Sequence, residues 1–388
     1  MSYFYSYLNE QGRAGFVMSS QASSAGRDEA KVRQKLVETG DVGLMIAIRS
    51  NFFYTRTVPC ELWFLNRNKP KAHKDKVLML DARNVYRKVT RKIYDFSPEQ
   101  EQNLLAIVWL YRGEADRYLE LVSDYLGQVS DEAQACIELE EDGAVVHPLP
   151  DYLAAIHKLK KILQPLLASQ QDNSQLTEQQ PEFDKEYKLL VQDIARFHQR
   201  ADGAQQQWEN TPDTNAGLLK LTRQFEPLAE TSRDLIKQTD LLYKLATRLI
   251  DTLNSSPLPE GEMPGVRANS RDITRARKAA DEARVQAVEQ LKQVRYFWRQ
   301  AHWLTERFPQ ARLRDVEGLV KLVDRSEIEA NDWSLTPGRY VGVAPEEEDE
   351  GFDFEETLRD IHVELEDLNA EAVKLAATIK RNFEELGI

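Results

Sequence analysis

Seven consecutive residues, Val42–Ile48, are apolar or glycine, and this run constrains the fold more than any other feature of the chain. A strand that is apolar on both faces belongs in a sheet covered on both sides, because successive side chains point to opposite faces. Further short, mainly apolar runs lie at residues 15–18, 61–65 and 77–81. The apolar residues within 29–38 have helical spacing, and Gly40 follows as a helix stop. The alternation of strand and helix predicts an α/β sheet with crossover connections.

After Phe96 the pattern changes to helices. Ser97, Pro98 and Gln100 form a strong helix start. Helices are predicted over 98–111, 114–126 and 269–308. Residues 151–255 predict two or three long helices, with breaks near 170–174 and 211–213. Residues 255–261 have the composition of a linker. The predicted fold class is therefore α/β followed by mainly α. We divide the chain into an α/β part (1–95), its helical extension (96–150), a long-helix region (151–330) and a tail (331–388).

The tail contains the most regular pattern in the sequence. Residues 353–386 predict a helix with a coiled-coil-like apolar seam, formed by Leu358, Ile361, Leu365, Leu368, Leu375 and Ile379. Such a seam must pack against something. It either packs on helices of the same chain or docks a partner subunit, and composition alone favours the first.

Composition excludes several classes of protein. The net charge is −13, so attraction to nucleic acid would have to come from a local patch. We expect no membrane-spanning helix, no secretion signal, and no disulfide framework from two cysteines. Six scattered histidines predict no metal site, and no motif supplies a catalytic residue. We expect a soluble cytoplasmic protein.

One basic stretch stands out against this acidic background. Residues 67–92 have a net charge of +8 and lie close in sequence to the polar–aromatic segment 51–54. Basic residues beside exposed aromatic rings can hold phosphates and stack on an unpaired base. The alternatives are an ordinary solvated face and two phenylalanines that fill the core. The predicted phosphate-binding residues are Arg67, Lys69, Lys71, Lys74 and Lys76. Residues 267–299 are also basic, at +5, whereas residues 346–367 carry −11.

Several segments, in this order, resemble one family. They are GRAGFVM (12–18), the helix around VRQKL (32–36), the strand 42–48, NFFY (51–54) followed by VPCELWFLNRNK (58–69), VLMLDAR (77–83), residues 96–113 and NDWSLTPGRYV (331–341). The set is similar to the adenine-N6 DNA methyltransferase (modification) subunit of type I restriction-modification systems. Residues 150–310 carry no resemblance.

The resemblance implies the C-terminal part of a class I, Rossmann-like methyltransferase sheet, and methyl transfer from S-adenosylmethionine to N6 of a flipped adenine. The family places the segment matching Asn51, Phe52, Phe53 and Tyr54 beside that base. Its partners are DNA, a specificity subunit, a second modification subunit and sometimes a restriction subunit. Its C-terminal helices bundle with the specificity subunit.

The departures from the family are in the catalytic motifs. The glycine-rich S-adenosylmethionine turn is missing, no Asn-Pro-Pro occurs, and Ser19-Ser20 replaces the usual Pro-Asn. We therefore predict a modification subunit, or a fragment of one, that neither binds S-adenosylmethionine nor acts alone. The rival hypothesis is a non-enzymatic helical scaffold.

Overall fold

A computed structural model describes residues 1–53, 57–90, 92–141, 143–170, 173–255 and 271–344, together with residues 365, 372, 375, 376 and 378. The strands in this part of the chain are β1 (Arg13–Ser19), β2 (Val42–Ile48), β3 (Cys60–Asn66), β4 (Lys76–Asp81), β5 (Arg87–Thr90), β6 (Ile93–Asp95), β7 (Leu139–Glu141), β8 (Ala144–Val146) and β9 (Val320–Asp324). The α-helices are α1 (Ser2–Ser6), α2 (Gln21–Ser24), α3 (Arg27–Glu38), α4 (Pro98–Arg112), α5 (Ala115–Ala135), α6 (Pro148–Ser169), α7 (Ser174–Glu209), α8 (Asn215–Ser255), α9 (Arg271–Arg307) and α10 (Arg325–Ala330).

Five strands form one mixed sheet in the order β1-β3-β2-β4-β9. β2 and β4 are parallel, and the other neighbouring pairs are antiparallel. β1 and β2 run in the same direction on either side of β3, so the β1–α3–β2 unit is the crossover that the sequence predicted. The structure is mostly helical with this small mixed sheet, which confirms an α/β part followed by helices.

The two faces of the sheet enter different hydrophobic cores. Ile46 and Leu80 face a large core shared with helices α4 to α9. Met45 and Met79 face a smaller core that includes residues of α3, of α10 and of the segment after α10. β2 is buried along its whole length. This confirms the prediction of a sheet covered on both sides.

The helical region begins as its sequence indicates. The Ser97 hydroxyl accepts a hydrogen bond from the Gln100 backbone at 3.2 Å, and the Gln100 side chain accepts one from the Ser97 backbone at 2.9 Å. These two bonds are the reciprocal cap expected at this helix start. The long helices α6, α7 and α8 are separated near residues 170–174 and 211–213, as predicted. Most of the predicted linker at 255–261 lies outside the described residues.

After α9 the chain returns to the sheet. β9 pairs antiparallel with β4, with Val323 opposite Val77 and Val320 opposite Leu80. This strand falls inside the range 151–330 that we assigned to long helices. A five-residue strand that is followed directly by a helix is too short for its periodicity to distinguish it from a helix. The division into four parts stays a prediction, and its third part contains this strand.

Candidate functional site

The candidate site lies where β2 and β4 end. Because these two strands are parallel, their last residues, Ile48 and Asp81, lie at the same edge of the sheet. β3 runs in the opposite direction and begins at this edge with Cys60, opposite Ile48. In α/β proteins, ligands bind at the carboxyl edge of the parallel strands.

The predicted base-pocket residues follow β2 at this edge. Asn51 has a left-handed backbone with φ +60°, and its carbonyl accepts a hydrogen bond from the Tyr94 backbone at 3.2 Å. The Phe52 ring lies 4.5 Å from the Phe96 ring, and Phe52 and Phe53 pack half-buried against the large core. These two rings therefore contribute to the core, which is the alternative that the sequence left open. Tyr54 lies outside the described residues, and the base pocket stays a prediction.

Arg49, which the sequence did not single out, contacts two aromatic rings at this edge. Its guanidinium lies between the rings of Tyr86 and Tyr94, 3.7 Å from each ring centroid. Its buried Nε has no hydrogen-bond partner among the described residues. A cation enclosed between two aromatic faces is stabilised by the quadrupole of each ring. This contact fixes the position of the hairpin β5–β6 next to the end of β2.

A row of charged side chains crosses the sheet on the face of the smaller core. Glu61 of β3 and Asp81 of β4 are both opposite Ala47 of β2, so their side chains share one face with a small residue between them. Asp81 accepts a hydrogen bond from the Arg83 Nε at 2.8 Å. Arg33 of α3 is buried on the same side and donates to the carbonyls of Trp333 and Ala22 at 3.1 Å each.

Glu61 is the least satisfied member of this row. Its side chain is 1% exposed, and its Oε2 has no hydrogen-bond partner among the described residues. Burial raises the pKa of Glu61 to about 7, although the Ser23 hydroxyl and the nearby charges of Arg83 and Arg33 act in the opposite direction. A carboxyl with this pKa can take up or release a proton near neutrality.

The segment 331–341 closes over this row. The Leu335 backbone donates to the Ser23 carbonyl at 2.9 Å, and the hydroxyls of Ser23 and Thr336 lie 2.8 Å apart. Gly338 lies directly over the Asp81–Arg83 pair, and a Cβ at this position would come within 2.5 Å of the Arg83 guanidinium. The tail motif noted in the sequence therefore packs on the charged row of the sheet.

Part of the basic stretch is neutralised around Asp41. Lys74 donates to the Asp41 carboxylate at 2.6 Å, and the Tyr5 hydroxyl donates to it at 2.7 Å. The Arg67 Nε is 4.0 Å from the same carboxylate, and the Arg67 guanidinium also donates to the Leu8 carbonyl at 2.6 Å. Lys74 and Arg67 therefore stabilise the start of β2.

The Lys69 side chain points into the protein. Its side chain is 5% exposed, and its ammonium donates to the carbonyls of Val42, at 2.6 Å, and Lys76. Burial lowers its pKa to about 8. Two of its three donors are thus bonded to the backbone of β2 and β4, and a role of Lys69 at a phosphate stays a prediction. The Lys76 ammonium lies 3.9 Å from the Asp324 carboxylate. The Lys71 side chain is exposed.

With this geometry in place, residues 1–129 match the family model described as N-6 DNA methylase. The matched segment contains strands β1 to β6 and helices α1 to α4, with most of α5. It therefore includes Arg49, the predicted base-pocket residues and the charged row of the sheet.

The curated proteins that this chain resembles are methylase subunits of type I restriction enzymes. The chain is 36% identical over 90 residues to the type I restriction enzyme MjaIX methylase subunit of Methanocaldococcus jannaschii, a match of 23% of this chain and 16% of that protein. It is 41% identical over 73 residues to the HindI methylase subunit of Haemophilus influenzae, 19% of this chain and 16% of that protein. The chain therefore spans about a sixth of the length of these relatives.

A solved structure of a type I restriction-modification system methyltransferase subunit from Streptococcus thermophilus is also similar. The two chains are 20% identical over 26% of this chain and 21% of that one, with a TM-score of 0.24.

The predicted partner helix lies beyond residues 1–129, and most of it lies outside the described residues. Of its seam, the structure describes Leu365 and Leu375, which are helical and exposed by 53% and 59%. Leu358, Ile361, Leu368 and Ile379 lie outside the described residues. The seam stays a prediction.

The described ranges of the chain contain neither a metal-binding cluster nor a membrane-spanning helix. In those ranges no cluster of three or more His, Cys, Asp or Glu side chains is arranged to hold a metal ion. In the same part of the chain, no helix is long and apolar enough to cross a membrane.

Proposed function

We propose that this chain is the C-terminal part of the modification subunit of a type I restriction-modification system. In this function a methyl group passes from S-adenosylmethionine to N6 of an adenine in DNA. The observation that carries the proposal is the match of residues 1–129 to the N-6 DNA methylase family, supported by relatives that are type I methylase subunits. The chain matches about a sixth of the length of these relatives, and we infer its activity from theirs.

The sheet suits this function. We propose that β1 to β4 form the C-terminal part of a class I methyltransferase sheet, with the target base bound near Asn51 and Phe53 at the carboxyl edge of β2 and β4. β1 lies at the end of the sheet order and, among the described strands, pairs with β3 alone. Its outer edge is free to pair with a further strand.

Chemistry at N6 needs groups that this sequence does not contain. The glycine-rich turn that binds S-adenosylmethionine and the Asn-Pro-Pro motif that holds the adenine amino group are both missing from residues 1–388. The active unit would therefore include polypeptide that supplies these groups, a specificity subunit, a second modification subunit and, in some assemblies, a restriction subunit. We place this unit in the cytoplasm with its DNA.

A methyl-transfer assay tests the proposal. The chain is produced together with the specificity subunit and the polypeptide that carries the missing motifs, and the purified assembly is incubated with DNA and methyl-labelled S-adenosylmethionine. We expect label in N6-methyladenine after digestion, and none when this chain is left out. Methylation that does not depend on the chain would favour the helical scaffold.

A further inference from the structure

The hairpin β5–β6 is an unusually basic element on an acidic protein. Residues 86–92 contain four lysine or arginine residues and no acid, whereas the whole chain has a net charge of −13. All four residues of β5 are exposed. Lys88 and Lys92 are exposed and make no ion pair among the described residues. An element that buries so little of itself is not explained by a contribution to the core.

The hairpin is nevertheless held firmly at its base. The Arg49 guanidinium lies between the rings of Tyr86, directly before β5, and Tyr94 of β6. Arg87 donates two hydrogen bonds to Asp95 across the strands, at 2.9 and 2.8 Å. An isolated two-stranded hairpin is marginally stable in water, so these contacts are what allow the hairpin to project into solvent.

The same contacts place the hairpin beside the candidate base site. The Tyr94 backbone donates to the Asn51 carbonyl, so β6 is bonded directly to the segment that follows β2. The Gln100 side chain donates to the Tyr86 carbonyl at 2.9 Å, which anchors the other strand to the start of α4. A duplex that presents a base at Asn51 would therefore pass its backbone along this hairpin.

We propose that the hairpin β5–β6 binds the DNA backbone next to the target adenine, with Lys88 and Lys92 each contacting a phosphate. This inference rests on the proposed function and specifies which surface of residues 1–129 meets DNA. The Arg87 charge is already balanced by Asp95. Lys88 on β5 and Lys92 in the turn before β6 are exposed cations with no ion pair among the described residues. Val89, exposed beside Lys88, adds an apolar contact of the kind that β-ribbons make in a groove.

The test removes the two lysines from the assembled complex. Binding of a fluorescent duplex by the wild-type complex and by the Lys88→Ala/Lys92→Ala complex is measured by anisotropy between 50 and 200 mM salt. We expect the affinity to fall by up to about tenfold per lysine near 0.1 M salt, and the slope of log K against log salt to decrease by about 2. The loss should be similar for specific and nonspecific duplexes, because phosphates carry no sequence information.

A matched control removes two exposed lysines from α6. Lys158→Ala/Lys161→Ala makes the same change in net charge away from the hairpin, and we expect its salt slope to equal that of the wild type. A Lys88/Lys92 variant that binds DNA like this control would overturn the inference and leave the proposed function standing. A variant that no longer assembles without DNA would assign the hairpin to a protein partner and also overturn it. If the wild-type complex binds no DNA, the proposed function and this inference both fail.

Discussion

Burial raises the pKa of the Glu61 carboxyl above its usual value. Its pKa in the folded chain is about 7 against a usual value of 4.5, so the native state binds more protons than the unfolded state between these values. The free energy of unfolding therefore falls as the pH rises from about 4.5 to about 7, and this loss persists above pH 7. The charged groups that face Glu61 are Arg33 from α3 and Asp81 and Arg83 from the end of β4.

Glu61→Gln removes the ionisation and keeps the shape of the side chain. We expect the variant to exceed the wild type in free energy of unfolding by up to about 3 kcal/mol at pH 8 and by less than about 1 kcal/mol at pH 5. Urea unfolding at the two pH values measures this difference. Glu101→Gln, at an exposed position of α4, is the control and should show no such change. A Glu61→Gln advantage that is equal at both pH values would refute the account of this carboxyl.

Lys69 links two strands through their backbone. Lys69→Met would leave the buried carbonyls of Val42 and Lys76 without their donor, and we expect a loss of about 1–3 kcal/mol in stability. Lys71→Met, at an exposed position two residues away, should change stability by less than about 0.5 kcal/mol. Thermal unfolding of both variants measures the difference. Equal effects of the two substitutions would mean that the Lys69 contacts do not stabilise the sheet.

At the scale of elements, the helix predicted over residues 353–386 is our candidate for docking a subunit. Leu365 and Leu375 are helical and exposed, and a seam of this length is stabilised only by packing. Leu365→Asp with Leu368→Asp would place two carboxylates in that seam, which costs several kcal/mol if the helix stays docked. We expect loss of the specificity subunit on co-purification, with an unchanged far-UV helical signal. A variant that retains its partner would place docking elsewhere.

The sequence predicts elements well where periodicity or composition is strong. The uniformly apolar run of β2, the Ser97 cap of α4 and the breaks between α6, α7 and α8 are all found where the pattern placed them. β9 and the hairpin β5–β6 were missed because each strand is five residues or shorter, and their pairing is a tertiary property.

The candidate site was predictable only in part. Asn51 and Phe53 were selected from local sequence, but the row of Glu61 and Asp81 depends on the register of three strands. The contact between Arg33 and the Trp333 carbonyl joins residues 300 positions apart. The sequence of a basic stretch also does not show which of its lysines point inward, as Lys69 does.

At the scale of the whole molecule, binding of the cofactor should require more polypeptide than this chain. We expect calorimetric titration of the isolated chain with S-adenosylmethionine to give no binding in the micromolar range, because the glycine-rich turn and the Asn-Pro-Pro motif are absent from its sequence. One-site micromolar binding would show that other residues hold the cofactor.

A genome-wide map of N6-methyladenine tests most directly whether this chain takes part in adenine methylation. The gene is deleted in frame, and N6-methyladenine is mapped across the genome in the parent, the deletion strain and a strain complemented with the wild-type gene. We predict that one methylated sequence motif disappears in the deletion strain and returns on complementation. An unchanged methylation map in the deletion strain would contradict the account.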